Sequence, residues 1–162
     1  MNITCTINGK QAVYQVSSDM PLLDLLIDNA HITSLRPGCR KGHCGSCIVL
    51  IDDRPALSCL VPVFDIRGRD IITFERFQRT RDSTDIRKGF EQAEAVPCSY
   101  CYPSKTLITH GIISRNVNPE PDEILAAFAL HACTCLEPDQ VVRGVLQAGS
   151  YRGRRRKYAR SK

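Results

Sequence analysis

The sequence predicts an α+β fold in two parts, a compact domain of strands around one helix and then a small bundle of helices. Three observations indicate this division. Apolar and polar residues alternate in short strand-like runs over the first half, whereas longer runs at helical spacing fill the second half. The third observation is a set of nine cysteines, eight of which form two groups, one in each part. Each part is therefore expected to carry its own metal centre.

Composition is consistent with a folded protein that needs extra crosslinks. A chain of 162 residues forms one domain or two small ones, and 43% hydrophobic residues are enough for a core. Two small domains bury a modest share of their surface, so crosslinks would stabilise them. The N-terminus lacks a secretory signal pattern and no apolar run is long enough to span a bilayer, so a cytoplasmic location is expected. In that setting cysteines more often bind metal than form disulfides.

The first part is predicted to contain a hairpin, a helix and three more strands. Asn8 and Gly9 separate two alternating runs, which is a strong signal for a two-residue hairpin loop. Residues 21–30 place leucines at helical spacing, with Asp19 as the predicted N-cap and Pro21 in the first turn. The further strands are predicted at residues 46–51, 55–63 and 70–75.

The second part is predicted to be a four-helix bundle with short connections. Its helices are predicted at residues 84–95, 103–116, 119–132 and 137–149. Thr84 is the capping candidate of the first of these helices, and Gly149 is the predicted stop of the last one. The predicted organisation is a domain over residues 1–76, a charged linker over 77–83, a helical domain over 84–150 and a basic tail over 151–162.

The first cysteine group has the spacing C-x4-C-x2-C followed by a fourth cysteine in the returning strand. Its members are Cys39, Cys44, Cys47 and Cys59. This is the plant-type [2Fe–2S] ligand spacing, whereas zinc usually collects its ligands from two short knuckles. Gly38, Gly42 and Gly45 would let the loop bend where a Cβ atom would clash, so that backbone N–H groups can hydrogen-bond the sulfurs.

The second group consists of two close pairs. Its members are Cys98, Cys101, Cys133 and Cys135. The first pair shares a face where a helix begins. The second pair is too close for an unstrained disulfide and is expected in a loop, with both sulfurs aimed at one object. Two loops at the same end of the bundle would present four sulfurs to one centre, and spacing alone leaves iron–sulfur and zinc both open.

Two further residues, outside both cysteine groups, have simpler predicted roles. Cys5 lies in a hairpin strand and is predicted to be a small buried hydrophobe. His131 is predicted to lie on a helical segment, as a packing or capping residue beside the second group.

Taken together, the eight cysteines and their order resemble the small two-cluster [2Fe–2S] subunit of the molybdenum hydroxylases, the family of xanthine dehydrogenase, aldehyde oxidoreductase and carbon monoxide dehydrogenase. The resemblance covers about residues 2–150. It implies a β-grasp, ferredoxin-like [2Fe–2S] domain followed by a four-helix-bundle [2Fe–2S] domain. It also implies that each cysteine group holds one of the two [2Fe–2S] clusters.

The same resemblance implies an electron-transfer subunit that does no substrate chemistry itself. Electrons would pass from a molybdopterin centre on a large subunit through both clusters to FAD on a medium subunit, or to an external acceptor. The complex would oxidise a purine, another heteroaromatic compound or an aldehyde.

The chain departs from the family pattern mainly around the second group. Pro97 stands where the family usually has a glutamine that approaches the pterin, and proline has no N–H to offer. Residues 99–104 and 131–137 differ as well, apart from the cysteines and Pro103. The first loop departs in charge, at Arg40, Lys41 and His43. Positive charge beside a cluster favours its reduced form.

Two alternatives stay open from the sequence. One is a redox protein of the same lineage whose partner lacks molybdopterin, which the replacements around the second group favour. The other is a zinc-stabilised binding module whose basic tail binds nucleic acid. The tail is more readily interpreted as a disordered arm that docks on an acidic partner subunit, so nucleic acid is not the expected partner.

Overall fold

The computed structural model describes residues 1–129 and 131–160, and its first half is built on a mixed five-stranded sheet. The strands are β1 (Asn2–Ile7), β2 (Lys10–Gln15), β3 (Ile48–Ile51), β4 (Arg54–Leu57) and β5 (Asp70–Ile72). Their order across the sheet is β2-β1-β5-β3-β4. β1 and β5 are parallel, and the other neighbours are antiparallel. The α+β arrangement predicted for this half is confirmed.

Both hairpins of the sheet turn through two residues with positive φ. Asn8 has φ 53° and Gly9 has φ 80°, as a type I′ loop requires, so the predicted first hairpin is confirmed. The loop between β3 and β4 uses Asp52 at φ 49° and Asp53 at φ 66°. Aspartate adopts this conformation more readily than most side chains do.

The predicted helix after the first hairpin is short and is not capped as expected. α1 (Leu22–Asp24) continues into a π-helical turn, Leu25–Asn29. Pro21 is its N-cap and offers no side-chain hydrogen bond. The prediction of Asp19 as the cap is wrong, because its carboxylate accepts a hydrogen bond from the Ser17 hydroxyl instead.

β3 lies between two hydrophobic cores. Val49 and Ile51 pack into the core of the first half, whereas Ile48 and Leu50 pack into the core of the helical half. Successive side chains of a strand point to opposite faces of the sheet, so a strand covered on both faces must be apolar throughout. The two halves of the chain are therefore in direct contact through this strand.

The second half is a helical bundle, as predicted. Its helices are α2 (Phe74–Phe77), α3 (Arg81–Gln92), α4 (Tyr102–Arg115), α5 (Pro121–Phe128) and α6 (Pro138–Arg160). The four longer helices enclose a core that includes Phe90 and Leu107.

The first long helix begins inside the stretch that the sequence predicts as a linker. The Thr80 hydroxyl accepts the Ser83 N–H at 3.1 Å and caps α3, so Thr84 is not the cap and residues 81–83 are helical. The domain boundary itself stays a prediction.

α6 continues well beyond its predicted stop. A Cβ atom on Gly149 would lie 2.0 Å from the Val117 carbonyl oxygen, so glycine is needed here for a close approach and not as a C-cap. The helix reaches Arg160. The prediction of a disordered arm is wrong for residues 151–160, and residues 161–162 lie outside the described part. Although α6 has 23 residues, neither it nor any other described helix has the length and apolar content needed to cross a membrane.

The C-terminal turns of α6 are fixed by ion pairs to α3. Arg152 is 5% exposed, and its guanidinium lies 3.1 Å from a carboxylate oxygen of Asp82. Arg155 contacts the same carboxylate and donates from Nε to Asp85 at 2.7 Å. These pairs give the basic segment an intramolecular role.

A buried histidine extends this network to the sheet. Arg152 donates to His110 Nδ1 at 3.1 Å, and His110 Nε2 lies 2.8 Å from the Asp53 carboxylate. Because Nδ1 accepts a hydrogen bond, the proton of the neutral ring is on Nε2, which donates to Asp53. The network thus ties α6 to the β3–β4 loop.

Candidate metal centres

The first cysteine group lies on the loop before β3 and on a turn after β4. Three of the four cysteines lie in residues 38–47. Cys59 lies in a 3₁₀ turn, Ser58–Leu60, and not in the returning strand as predicted. The backbone N–H and the hydroxyl of Ser58 both donate to the Cys47 carbonyl, at 3.2 and 2.7 Å. This anchors the turn to the end of the loop.

Backbone N–H groups of the loop converge on the sulfur of Cys39. The donors are Lys41 at 3.4 Å, Cys44 at 3.3 Å and His43 at 3.1 Å. Hydrogen bonds from the backbone of Lys41 and Cys44 lower the pKa of Cys39 to about 6. The thiolate, which is the form that binds metal, is therefore favoured at neutral pH.

The glycines of the loop act in two ways. Gly42 and Gly45 have φ of 77° and 71°, so the predicted bends occur there. Gly38 is needed for space, because a Cβ atom would lie 2.7 Å from the Cys44 sulfur and 3.0 Å from the Ser46 hydroxyl. The loop is thus shaped around the sulfurs, which fits a cluster held at this position.

The fourth cysteine of this group lies on the buried side of the site. Burial, a hydrogen bond with Cys47 and the charges of Cys47 and Cys39 raise the pKa of Cys59 to about 11. Cys47 and Cys59 are buried, whereas Cys39 and Cys44 are partly exposed. Cys5 is 1% exposed, so its prediction as a buried hydrophobe is confirmed.

The second cysteine group is compact. The four sulfurs of Cys98, Cys101, Cys133 and Cys135 all lie within 4.8 Å of one another. Sulfur separations include 3.4 Å between Cys98 and Cys101 and 3.2 Å between Cys101 and Cys135. Cys101 is the N-cap of α4, and residues 131–137 join α5 to α6. The sequence-based prediction that two loops present four sulfurs together is therefore confirmed.

The electrostatics of this group differ among its members. A hydrogen bond from the Cys101 backbone lowers the pKa of Cys98 to about 7, whereas burial raises the pKa of Cys101. The Cys98 N–H donates to the sulfur of Cys135 at 3.4 Å. Four sulfurs so arranged suit either zinc or an iron–sulfur cluster.

His131 lies in the loop and not on a helix as predicted. The predicted helix over 119–132 ends at Phe128, and Leu130 lies outside the described residues. Burial and then the charge of Lys105 lower the pKa of His131 to about 4, so the ring is neutral. Its Nδ1 accepts the Cys133 N–H at 3.3 Å, which places the proton on Nε2, an atom with no hydrogen-bond partner among the described residues.

Lys105 is a site residue that the sequence analysis missed. Its Nζ donates to the Cys133 carbonyl at 3.2 Å and lies 3.6 Å from the sulfur of Cys135. The signal was its place four residues after Cys101 in a helical run, because residues i and i+4 lie on the same face of a helix.

A backbone hydrogen bond joins the segments that carry the two groups. The N–H of Ala132 donates to the carbonyl of Cys44 at 3.2 Å. Ala132 immediately precedes Cys133 of the second group. Cys44 of the first group is therefore hydrogen-bonded to the residue next to Cys133. The two candidate centres are therefore adjacent.

Two protein-family profiles match the chain, and each covers one cysteine group. Residues 5–64 match a 2Fe-2S iron-sulfur cluster binding domain, and residues 73–146 match a [2Fe-2S] binding domain. Iron–sulfur chemistry is thereby supported at both sites, against zinc.

Whole-chain relatives agree with the profiles. The nicotinate dehydrogenase small FeS subunit of Eubacterium barkeri is 29% identical over 83% of this chain and 86% of its own length. The xanthine dehydrogenase iron-sulfur-binding subunit of Escherichia coli O157:H7 is 28% identical over 90% of this chain and 92% of its own length. A chain of quinoline 2-oxidoreductase from Pseudomonas putida 86 superposes with a TM-score of 0.82 and 29% identity, covering 96% of each chain.

Proposed function

We propose that this chain relays electrons between two [2Fe–2S] clusters within an oxidoreductase complex. The proposal proceeds from its family, because the chain belongs to the iron–sulfur small subunits of the molybdenum hydroxylases. The first cluster is assigned to Cys39, Cys44, Cys47 and Cys59. The second is assigned to Cys98, Cys101, Cys133 and Cys135. When bound, each cluster accepts and releases one electron at a time.

The observation that carries this proposal is the hydrogen bond from Ala132 to Cys44. It connects a residue assigned to the first cluster with the neighbour of one assigned to the second, through backbone atoms alone. Electron transfer benefits from such a short path and from surroundings that reorganise little. The loops supply the latter through fixed backbone donors and buried cysteines at both sites.

The partners are proposed to be a large molybdopterin-binding subunit and a medium FAD-binding subunit. The second cysteine group supports an interface with one of them, because Cys135 is exposed and Tyr100 beside the group is 49% exposed. The relatives' names refer to nicotinate, xanthine and quinoline, so an N-heteroaromatic substrate is proposed for the complex. The cytoplasmic location stays a prediction.

One alternative is a partner subunit that lacks molybdopterin. The replacement of the family's usual glutamine by Pro97 favours this alternative. Pro97 is buried, and the next residue uses its N–H on the sulfur of Cys135. Molybdenum and pterin analysis of the complex, purified through a tag on this chain, distinguishes the two. Molybdenum close to one per complex supports the molybdopterin partner, and its absence from a complex with both clusters intact supports the alternative.

The assignment of the clusters is tested by iron and acid-labile sulfide analysis with EPR of the reduced protein, purified without oxygen. Four irons, four sulfides and two distinct rhombic signals per chain are expected. Cys39→Ser should abolish one signal and Cys133→Ser the other, while Cys5→Ser, a matched control outside both groups, should keep both. A single signal that survives Cys133→Ser would refute the two-cluster assignment.

A further inference from the structure

The most unusual charge near either cysteine group is a buried lysine. Lys105 lies in the first turn of α4, where its N–H donates to the Cys101 carbonyl at 2.9 Å. The residue is 2% exposed. Lysine is almost never fully buried without a partner for its charge, because removing an ammonium group from water is costly. Its surroundings therefore need to supply negative charge.

No carboxylate in the part of the chain that the structure describes supplies that charge. Among the described residues, none lies within 4.0 Å of Lys105 Nζ as an ion-pair partner. The contacts of Nζ are the carbonyl of Cys133 at 3.2 Å and the sulfur of Cys135 at 3.6 Å. The anionic partner that this ammonium contacts is thus the thiolate of Cys135, a member of the second group.

We propose that Lys105 raises the reduction potential of the second cluster by holding a buried positive charge against its thiolates. The inference rests on the proposed function, because it needs a cluster on the second cysteine group. A thiolate-bound cluster gains one negative charge on reduction, so a nearby cation stabilises the reduced form more than the oxidised form. The attraction is stronger in a buried site than in water because the effective dielectric constant is lower there. Net charge and hydrogen bonds to the sulfurs are the means by which proteins set such potentials.

Within residues 1–129 and 131–160, the first cysteine group has no equivalent buried cation against its sulfurs. Its sulfurs take hydrogen bonds from backbone N–H groups and contact the hydroxyl of Ser46. The Arg40 side chain forms an ion pair with Asp24, and Lys41 is exposed. Lys105 should therefore act on one cluster only, which makes the other an internal reference.

The test is a redox titration followed by EPR on the purified chain with both clusters bound. Lys105→Met removes the charge and keeps an unbranched side chain. Lys105→Gln removes the charge and keeps an N–H donor, and Lys105→Arg keeps the charge. Lys41→Met removes one lysine charge beside the first group and is the matched control.

The expected result is a lower midpoint potential of the second cluster in both neutral variants, with the first cluster unchanged. Lys105→Arg should stay near the wild-type value, and Lys41→Met should leave the second cluster unchanged. Equal potentials in wild type and Lys105→Met would overturn the inference, and so would a wild-type potential in Lys105→Gln, because charge would then not be the cause.

Failure of the inference can be told apart from failure of the proposed function. Four irons per chain and two signals in every variant, without a shift, would reject the role of Lys105 and leave the relay intact. Loss of the second signal in the neutral variants and in Lys105→Arg alike would also reject it, because packing and not charge would explain the requirement. A wild-type chain with no second signal would instead reject the cluster assignment.

Discussion

The two cysteine groups are assembled by different means. Three of the first group's four cysteines lie within residues 39–47, and the sulfur of Cys39 is surrounded by N–H groups of the same loop. The second group joins Cys98 and Cys101 to a pair more than 30 residues later, and its nearest cation comes from a side chain, Lys105. The first site is therefore built mainly by local conformation, and the second by helix packing.

This difference predicts different weaknesses. A change within residues 38–47 should damage the first site and leave the helical half intact. A packing defect in the bundle, even far from the sulfurs, should instead damage the second site first. The α3–α6 contact is the place to introduce such a defect, because it fixes the helix that follows the Cys133–Cys135 loop.

The largest effect is expected from Gly38→Ala. The added Cβ atom would lie 2.7 Å from the Cys44 sulfur, so that sulfur would have to move. We expect loss of the first EPR signal and a fall from four to two irons per chain, with the second signal kept. Gly153→Ala is the control, because its Cβ would find its nearest neighbour at 3.7 Å. Two intact signals in Gly38→Ala would show that the first site does not depend on close packing of its loop.

The next largest effect is expected from Asp82→Asn. It leaves the buried guanidinium of Arg152 without its carboxylate, and removing one partner of a buried pair typically costs about 3 kcal/mol. For a chain of this size, that cost corresponds to a thermal midpoint lower by roughly 6–12 °C. Circular dichroism measures the midpoint, and EPR after graded heating should show the second signal lost before the first.

Glu91→Gln is the matched control for the Asp82 variant. It breaks the pair with Arg87 on the same helix, in which both side chains are 51% exposed. An exposed i,i+4 pair is worth about 0.3–0.5 kcal/mol, so the midpoint should fall by no more than about 2 °C. Similar losses in both variants would contradict the role assigned to the buried network.

Smaller effects on the free energy of unfolding are expected from alanine at two glycines of α6. The effects of the two substitutions should be opposite in sign to each other. Gly149→Ala would place a Cβ atom 2.0 Å from the Val117 carbonyl, which should lower the free energy of unfolding by about 2 kcal/mol. Gly153→Ala meets ordinary contacts and should raise it by about 0.5–1 kcal/mol, because alanine favours a helix. Denaturant unfolding measures both. A destabilised Gly153→Ala variant would show that the segment after Gly149 contributes little as a helix.

Much of the fold follows from patterns between near neighbours in the chain. The first hairpin is encoded by Asn8 and Gly9, which accept positive φ, and the burial of β3 on both faces is encoded by its unbroken apolar run. The C-x4-C-x2-C spacing likewise indicates a cluster loop, because those cysteines are brought together by the turn itself. Such features depend on a few consecutive dihedral angles, so the sequence specifies them.

Two of the errors occurred where the outcome depends on segments that are distant in sequence. Gly149 has the residue type of a helix stop, yet the approach of Val117 explains it and the helix continues. The basic segment has the composition of a solvated arm, but Asp82 and Asp85 of another helix pair with it. The composition of a segment does not show which distant residues it will contact.

The sequence by itself determined the ligand set proposed for both sites, the two-part fold and the family resemblance. The tertiary structure alone decided that Ala132 binds Cys44 and that Lys105 lies against Cys135. These contacts join residues from separate elements, and their distances depend on how the helices pack on one another and on the sheet. Spacing along the chain can nominate ligands, but only packing sets the distance between two centres and the charge that surrounds each.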